Sequence, residues 1–368
     1  MVAQASCGRG ADMSPASAQQ LWSKLASAGL TVGNMPEAQE AHTPWYVRVM
    51  LGIAGFIAAV FLLGFVGVGL AFVLESKIAS LAAGFMMIAA AYAVFRATPH
   101  SDFGSMFALA VSFTGQALVV YGVWGMLNER SAQPWVAIAA IEAILALFMP
   151  NFIHRVVSAY AAVLASALAL ASSGAEGVAG GLVALAVAGL WLNEVRFARQ
   201  HAVVTPIGYG LTLAFIQVEG SNFTSRSVMA ILGSHGQTWA MPWMGEALVA
   251  AAFLFAVWTL LRRAEWTLSE SKSVLSLAIA AAIGAASFKA PGVAGGLMIV
   301  LVGFANGNRL LAGLGIAALL YYVSSYYYLL DATLLAKAGV LAASGVVLLG
   351  ARWLLLNVVM PERASADA

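Results

Sequence analysis

Charge is scarce in this sequence: Asp, Glu, Lys and Arg make up 9% of 368 residues, where a soluble domain carries roughly 25%. With 62% hydrophobic residues and a mean hydropathy of +0.89, a water-soluble fold would have too little polar surface to cover its apolar mass. Cysteine is nearly absent, and the single Cys7 excludes an intramolecular disulfide and a Cys-rich metal site. Gln4-Ala5-Ser6-Cys7 resembles a lipoprotein cleavage site, but no apolar stretch precedes it, so lipidation is not expected; Met13 is an alternative start to Met1. The net charge of +2 is small and the basic residues are scattered, which argues against a nucleic-acid partner. Missing too are the alternating short segments of an outer-membrane barrel. GxxxxGK[ST], HExxH and GxSxG are also absent, so nucleotide hydrolysis, zinc chemistry and serine hydrolysis lack support. No catalytic residue, cofactor or metal site is assigned, and no enzymatic activity is expected.

What the chain does contain is a series of nearly uncharged apolar runs, each of a length suited to a helix crossing about 30 Å of hydrocarbon. Lipid-exposed backbone must satisfy its own hydrogen bonds, so these runs are read as helices. The expected fold is all-α, a polytopic transmembrane bundle of about 12 spans: Val49 to Leu74, Ile78 to Phe95, Phe103 to Leu127, Trp135 to Met149, Val156 to Ala171, Val178 to Leu192, Ala202 to Val218, Trp243 to Leu261, Val274 to Phe288, Val293 to Ala305, Leu310 to Leu330 and Thr333 to Leu356. The ninth and tenth are short enough to form a hairpin that does not fully cross. Residues 1–44 form an N-terminal segment with a short amphipathic helix around Leu21, Trp22, Leu25 and Leu30, ended by Gly33 and Pro36. The transmembrane domain covers 45–357 and a tail 358–368.

Lys and Arg resist translocation and collect on the cytoplasmic side. With both termini inside, that side receives Arg9, Lys24, Arg48, Arg96, Arg155, Arg196, Arg199, Arg262, Arg263, Lys272, Arg309, Arg352 and Arg363 of the 18 basic residues. Only Lys77, Arg130, Arg226, Lys289 and Lys337 remain for the outer half. An odd span count would scramble this division, so an even number is favoured. The sizeable outer loop, Glu219 to Pro242, carries His235, Gln237 and Trp239, which read as solvated.

A short motif recurs: Gly177-Val178-Ala179-Gly180-Gly181-Leu182 is repeated at Gly292-Val293-Ala294-Gly295-Gly296-Leu297, with a looser match at Ala82-Ala83-Gly84-Phe85-Met86. These fall in spans two, six and ten, each followed by an arginine (Arg96, Arg196, Arg309) and then by a span whose apolar run opens with Gly115, Gly210 or Gly315. The order implies three parallel four-helix units. Compositional coincidence is the competing account. Small residues in lipid let helix backbones approach closely, which is the first use expected of these glycines.

A charge inside a span costs at least about 2.5 to 3.5 kcal/mol on insertion scales, so Glu142, Glu246 and Lys337 form a candidate intramembrane polar site with Gln116 and Gln217. Glu142 is the deepest and is expected to face the bundle, with Lys337 as its natural cation and Gln116 or Gln217 as neutral partners. Three readings of the set stand together: a proton-linked site, a structural ion pair, or side chains snorkelling to the surface, the last fitting Glu246 and Lys337 best. Tyr321, Tyr322, Tyr326, Tyr327 and Tyr328 beside Asp331 read as interfacial anchors.

Two stretches carry a resemblance to a known family. Pro44-Trp45-Tyr46-Val47-Arg48 with Leu51-Gly52-Ile53-Ala54-Gly55-Phe56-Ile57-Ala58-Ala59 and Phe61-Leu62-Leu63-Gly64-Phe65 resembles the opening span of the bacterial membrane family called domain of unknown function 4401. Tyr326-Tyr327-Tyr328-Leu329-Leu330-Asp331-Ala332-Thr333-Leu334-Leu335-Ala336-Lys337, continuing to Gly345, Leu348, Leu349 and Arg352, resembles its closing segment. The resemblance implies a bacterial inner-membrane protein of unassigned activity, encoded near other membrane proteins, and supplies no catalytic residues. The first functional reading is a membrane scaffold or partner subunit whose partners are the lipid bilayer and neighbouring membrane proteins. The alternative is a transporter or binding protein for a small or lipid-linked solute.

Overall fold

The computed structural model describes residues 71–98, 101–127, 131–221, 243–265 and 271–329, together with isolated positions in 22–68 and Leu349. Contacts divide the chain into two compact units, Met1–Ala54 and Gly55–Ala368. In the first, Trp22, Ser23, Lys24, Ala26 and Ser27 are helical, and the rest of the expected amphipathic helix lies outside the described residues. The second consists of helices joined by short turns, with no strand among its described residues. A 3-10 turn Ala71–Glu75 leads into α1 (Lys77–Ala97), α2 (Asp102–Met126), α3 (Gln133–Phe148), α4 (Phe152–Ser172) and α5 (Glu176–Leu192). A second 3-10 segment, Glu194–Gln200, precedes α6 (His201–Ser221), α7 (Trp243–Arg263), α8 (Ser271–Ser287), α9 (Val293–Ala305) and α10 (Arg309–Leu329).

Helix starts follow local chemistry. Ser76, Ser101 and Asn151 cap α1, α2 and α4 by accepting from the amides of Ala79, Gly104 and His154, and Pro134 occupies the first turn of α3. Gly292 precedes α9 at φ +82°, a left-handed conformation that glycine adopts without strain. Each expected span from the second to the eleventh coincides with one described helix; the first is described only at isolated positions and over its 3-10 end, and the twelfth is described at one position, Leu349. Two boundaries differ in a way that matters. α4 begins at Phe152 instead of Val156, because the Asn151 side chain caps it a turn early, and α6 runs past Val218 to Ser221. Both extensions add an ionisable side chain, His154 and Glu219, to a helix.

Among the described residues, 6 helical segments are long and apolar enough to cross a membrane: Lys77–Ala97, Asp102–Met126, Phe152–Ser172, Glu194–Ser221, Trp243–Arg263 and Arg309–Tyr328. The apolar helices α3, α5, α8 and α9 are shorter. At 13 residues α9 is about 20 Å long, less than the hydrocarbon thickness. It forms a tight pair of turns with α8, closed by Ser287 Oγ accepting from the Ala294 amide at 2.9 Å.

Small, polar and some bulky apolar residues are buried together, while many other bulky apolar residues stand exposed. α1 buries Ser80, Gly84, Ile88, Ala91 and Phe95 on one face and exposes Ile78, Phe85, Met86 and Tyr92 on the other. An exposed apolar face of this kind suits lipid and would be unstable against water. One core lies among α1–α4 around Ile88, Phe95, Leu109 and Ile138; another lies among α5–α10 around Trp191, Phe215, Val249, Phe253 and Met298.

The glycines show how far the repeat extends. A Cβ on Gly84 would come within 2.7 Å of the Gly115 carbonyl, and one on Gly115 within 2.7 Å of the Gly84 carbonyl, so α1 and α2 touch backbone to backbone. Gly296 and Gly315 also pack between α9 and α10, but against the Leu319 side chain and Val300 and not against each other. The middle set differs: Gly181 meets Leu248 and Gly245 of α7, and Gly210 meets Val156 and Ala159 of α4. Both of these glycine pairs lie between consecutive helices, while Gly181 and Gly210 take partners on different helices.

These approaches generate a direct expectation. Gly84→Leu forces α1 off α2 and lowers stability by about 1–3 kcal/mol or more, as overpacking does. Gly313→Ala, with nothing within 4 Å of the added Cβ, leaves stability unchanged or slightly raised. Thermal unfolding of both variants in detergent checks the contrast.

Candidate functional site

Three helices assemble a sealed polar cluster. α2 supplies Ser112 and Gln116, and α4 supplies His154 and Ser158; each pair is spaced by four residues and so shares a helix face. α3, packed on α4, supplies Glu142. All five are buried: Ser112, His154 and Ser158 fully, Glu142 at 4% exposure and Gln116 at 8%. The first turn of α4 is held to α2 by Asn151, whose Oδ1 accepts from the His154 amide at 3.0 Å while its Nδ2 donates to Ser105 Oγ at 2.9 Å. The imidazole itself is clamped by Phe113, stacked at 5.5 Å between centroids, and by Phe95, edge-on at 6.2 Å.

The hydrogen bonds form a row with a direction. Ser112 Oγ lies 2.7 Å and Gln116 Nε2 3.0 Å from His154 Nε2. Gln116 Nε2 also donates to Ser158 Oγ at 3.2 Å, and Ser158 Oγ lies 3.3 Å from His154 Nδ1. With Gln116 donating to Nε2, the network assigns the ring proton to Nδ1, which then donates to Ser158, and the Ser158 hydroxyl is the polar group that acts on the Glu142 carboxyl. The row ends on a carboxylate whose second oxygen, Oε2, is buried and has no hydrogen-bond partner among the described residues. An acceptor left open in hydrocarbon costs about 1–3 kcal/mol or more. It is the position at which a donor from a solute, or a proton, gains most.

Of the residues expected from the sequence, Glu142 and Gln116 meet here through Ser158. Gln217 does not join them: it is exposed on α6, lining an apolar groove of about 360 Å³ with Val156, Val157, Tyr160, Leu213 and Ile216. Lys337, with His235, Gln237 and Trp239 of the outer loop, lies outside the described residues. Glu246 is 9% exposed, buried instead of extended to the surface. Near it are Glu219, 2% exposed, and Tyr322, fully buried with its hydroxyl donating to the Ile216 carbonyl at 3.2 Å. Tyr322 is therefore a core residue and not an interfacial anchor, whereas Tyr328 is exposed. Among the described residues, no three His, Cys, Asp or Glu side chains gather as metal ligands.

Ser112, His154, Ser158, Glu219 and Tyr322 are absent from the sequence-based candidates. The available signal for the first three was positional, a capping Asn151 followed by His154 and Ser158 four residues apart.

Ser158 joins three groups at once, so its loss should be felt. Ser158→Ala is expected to lower stability by about 1–3 kcal/mol, and by clearly less in a Glu142→Leu background, where no carboxylate remains to be stranded. A double-mutant cycle from unfolding in detergent measures the coupling.

The comparisons give a family and no activity. No curated protein and no solved structure matches the chain. The family described as Domain of unknown function (DUF4401) matches residues 44–358, most of the chain. A helical membrane architecture, a match of that extent, and the opening and closing stretches around Pro44 and Tyr326 agree: the chain belongs to the DUF4401 family.

Proposed function

We propose that this chain is a bacterial inner-membrane protein that binds and moves a small polar solute, its passage linked to protonation of the Glu142 row. The observation carrying this reading is the open Oε2 of Glu142, buried at the end of the Ser112–Gln116–His154–Ser158 network. A carboxylate and an imidazole in one hydrogen-bonded row can exchange a proton without breaking the packing around them. A scaffold or partner subunit would gain nothing from five polar side chains sealed among three helices, since apolar residues of similar size serve packing at no desolvation cost. The reading is non-enzymatic: Ser112 and His154 pair as a hydroxyl and a base, but both are fully buried.

The proposed topology has twelve spans and both termini in the cytoplasm, supported by the distribution of basic residues. The placing of Gly84 and Gly115 between α1 and α2, and of Gly296 and Gly315 between α9 and α10, supports a common unit for the first and third quartets of spans. An alkaline phosphatase fusion after Ala368 should be inactive and a green fluorescent fusion bright; the reverse pattern overturns the orientation.

Purified protein in liposomes loaded with a pH-sensitive dye should pass protons down an imposed gradient faster than protein-free vesicles. Glu142→Gln should lower that flux at least about tenfold, a loss of about 1.4 kcal/mol in the barrier balance, while the protein still inserts and unfolds cooperatively. Wild-type flux equal to that of empty vesicles, with Glu142→Gln more stable than wild type, would instead favour the scaffold or partner-subunit reading.

A further inference from the structure

The outer surface of the α4–α6 pair presents a polar group to hydrocarbon. Both helices belong to segments long and apolar enough to cross a membrane, and the groove of about 360 Å³ between them is lined by Val157 and Tyr160 of α4 and by Leu213 and Gln217 of α6, among others. Gly210, pressed against Val156 and Ala159, fixes one helix on the other, so the two present a single surface. From Leu211 to Ser221, Gln217 is the one exposed side chain of α6. Long side chains on a helix lean toward its N-terminus, which sets the Gln217 amide beside Leu213, deeper in the span than its own Cα. Neither that amide nor the Tyr160 hydroxyl makes a hydrogen bond among the described residues.

An amide held in hydrocarbon with its donors and acceptor unmet carries a desolvation cost that an apolar residue at the same position would avoid. What relieves it is decided by chemistry. A carboxamide needs an acceptor for its N–H groups and a donor for its oxygen. A lipid acyl chain offers neither, and a lipid ester only accepts. A second carboxamide offers both, and amide side chains do bond across helices in membranes. Two copies inserted in the same direction are related by a two-fold axis along the bilayer normal, which sets each residue at the depth of its counterpart. Near that axis Gln217 meets Gln217, each N–H donating to the other's carbonyl oxygen. The surface also has the shape that self-pairing requires, a projection at the exposed Gln217 and Val157 beside the hollow of the groove.

We infer that this chain pairs with a second copy of itself through the α4–α6 face, with Gln217 against Gln217 across a two-fold axis.

The test counts copies in a bilayer. The full chain, carrying one fluorescent protein after Ala368, is placed in liposomes at decreasing protein-to-lipid ratio and photobleached molecule by molecule. Wild type should bleach mostly in two steps. Gln217→Leu keeps the bulk and removes the amide; it should weaken association roughly tenfold and give mostly single steps at dilutions where wild type is still paired. A second measurement leaves Gln217 in place. In a Cys7→Ser background, which removes the only native cysteine, Leu213→Cys should be joined into dimers by a short thiol-reactive cross-linker. Phe85→Cys, on the exposed face of α1, should not. If Gln217→Leu fails to insert, the cross-linking carries the test. Single steps at every dilution in wild type, the result for a lipid in the groove, overturn the inference. So does a Gln217→Leu chain that pairs as tightly as wild type, or cross-linking at Phe85 in place of Leu213. Proton flux enters neither measurement, so the pairing is tested apart from the transport reading.

Discussion

Inside hydrocarbon a polar group has no water to turn to, and every part of this structure answers that constraint. The end of α5 shows how. Its terminal carbonyls lack intrahelical partners, and side chains from several places supply them: Asn193 Nδ2 donates to Gly189, Asn306 Nδ2 to Trp191 and an Arg263 guanidinium nitrogen to Leu192. Hydroxyls within helices turn back on the preceding turn, as Thr98 does to Val94, Thr114 to Ala110, Ser166 to Ala162 and Thr212 to Gly208. Among the described residues four buried side-chain atoms lack a partner, Arg155 Nε, Ser273 Oγ and two carboxylate oxygens. Oε2 of Glu142 and Oε2 of Glu246 are two such atoms, and each belongs to a cluster where several helices converge.

Close helix approach produces that convergence. Glycine and alanine at helix crossings bring backbones near enough for short polar side chains to reach across. The Gly84–Gly115 crossing holds α1 on α2, and α2 bears Ser112 on the turn before Gly115 and Gln116 beside it. At the other cluster, Gly180 makes room for the Glu219 carboxylate itself. The small residues thus serve packing first and determine as a consequence where buried charge can stand. This explains why the glycine motif, though repeated in the sequence, does not mark equivalent contacts: Gly181 takes α7 as its partner and Gly296 takes α10.

The helical membrane architecture was readable from apolar run length alone, and so was the inward position of Glu142, since an acid in the middle of a run has no economical place on the lipid side. The rest of the cluster was not, for a physical reason. Reading spans by hydropathy trims them at polar residues, and that trimming removed His154 from the start of α4 and Glu219 from the end of α6. Backbone hydrogen bonding continues through both, one because Asn151 caps the helix early, the other because α6 extends to Ser221 beside α5. Tyr322 failed differently. Five tyrosines near a helix end have the composition of an interfacial belt, and only the rotation of α10 turns this one inward onto Ile216. Gln217 is the mirror case, a residue with suitable chemistry on the wrong face of α6.

The two clusters are linked by geometry through one helix pair. α4 and α6 pack along their length and start at the same end, where an Arg155 guanidinium nitrogen donates to the Ala202 carbonyl at 2.7 Å. Gly210 packs on Val156 and Ala159 and so lies level with Ser158, whereas Glu219 lies nine residues further along α6, so the clusters are separated by roughly 14 Å along the pair. At the level of Ser158 α6 carries Gly210, pressed against Val156 and Ala159 of α4, and one turn before it Pro206, which cannot donate to the helix ladder. A backbone contact this tight does not slide freely. The two clusters therefore stand on one helix pair whose tight backbone contact at Gly210 fixes their spacing.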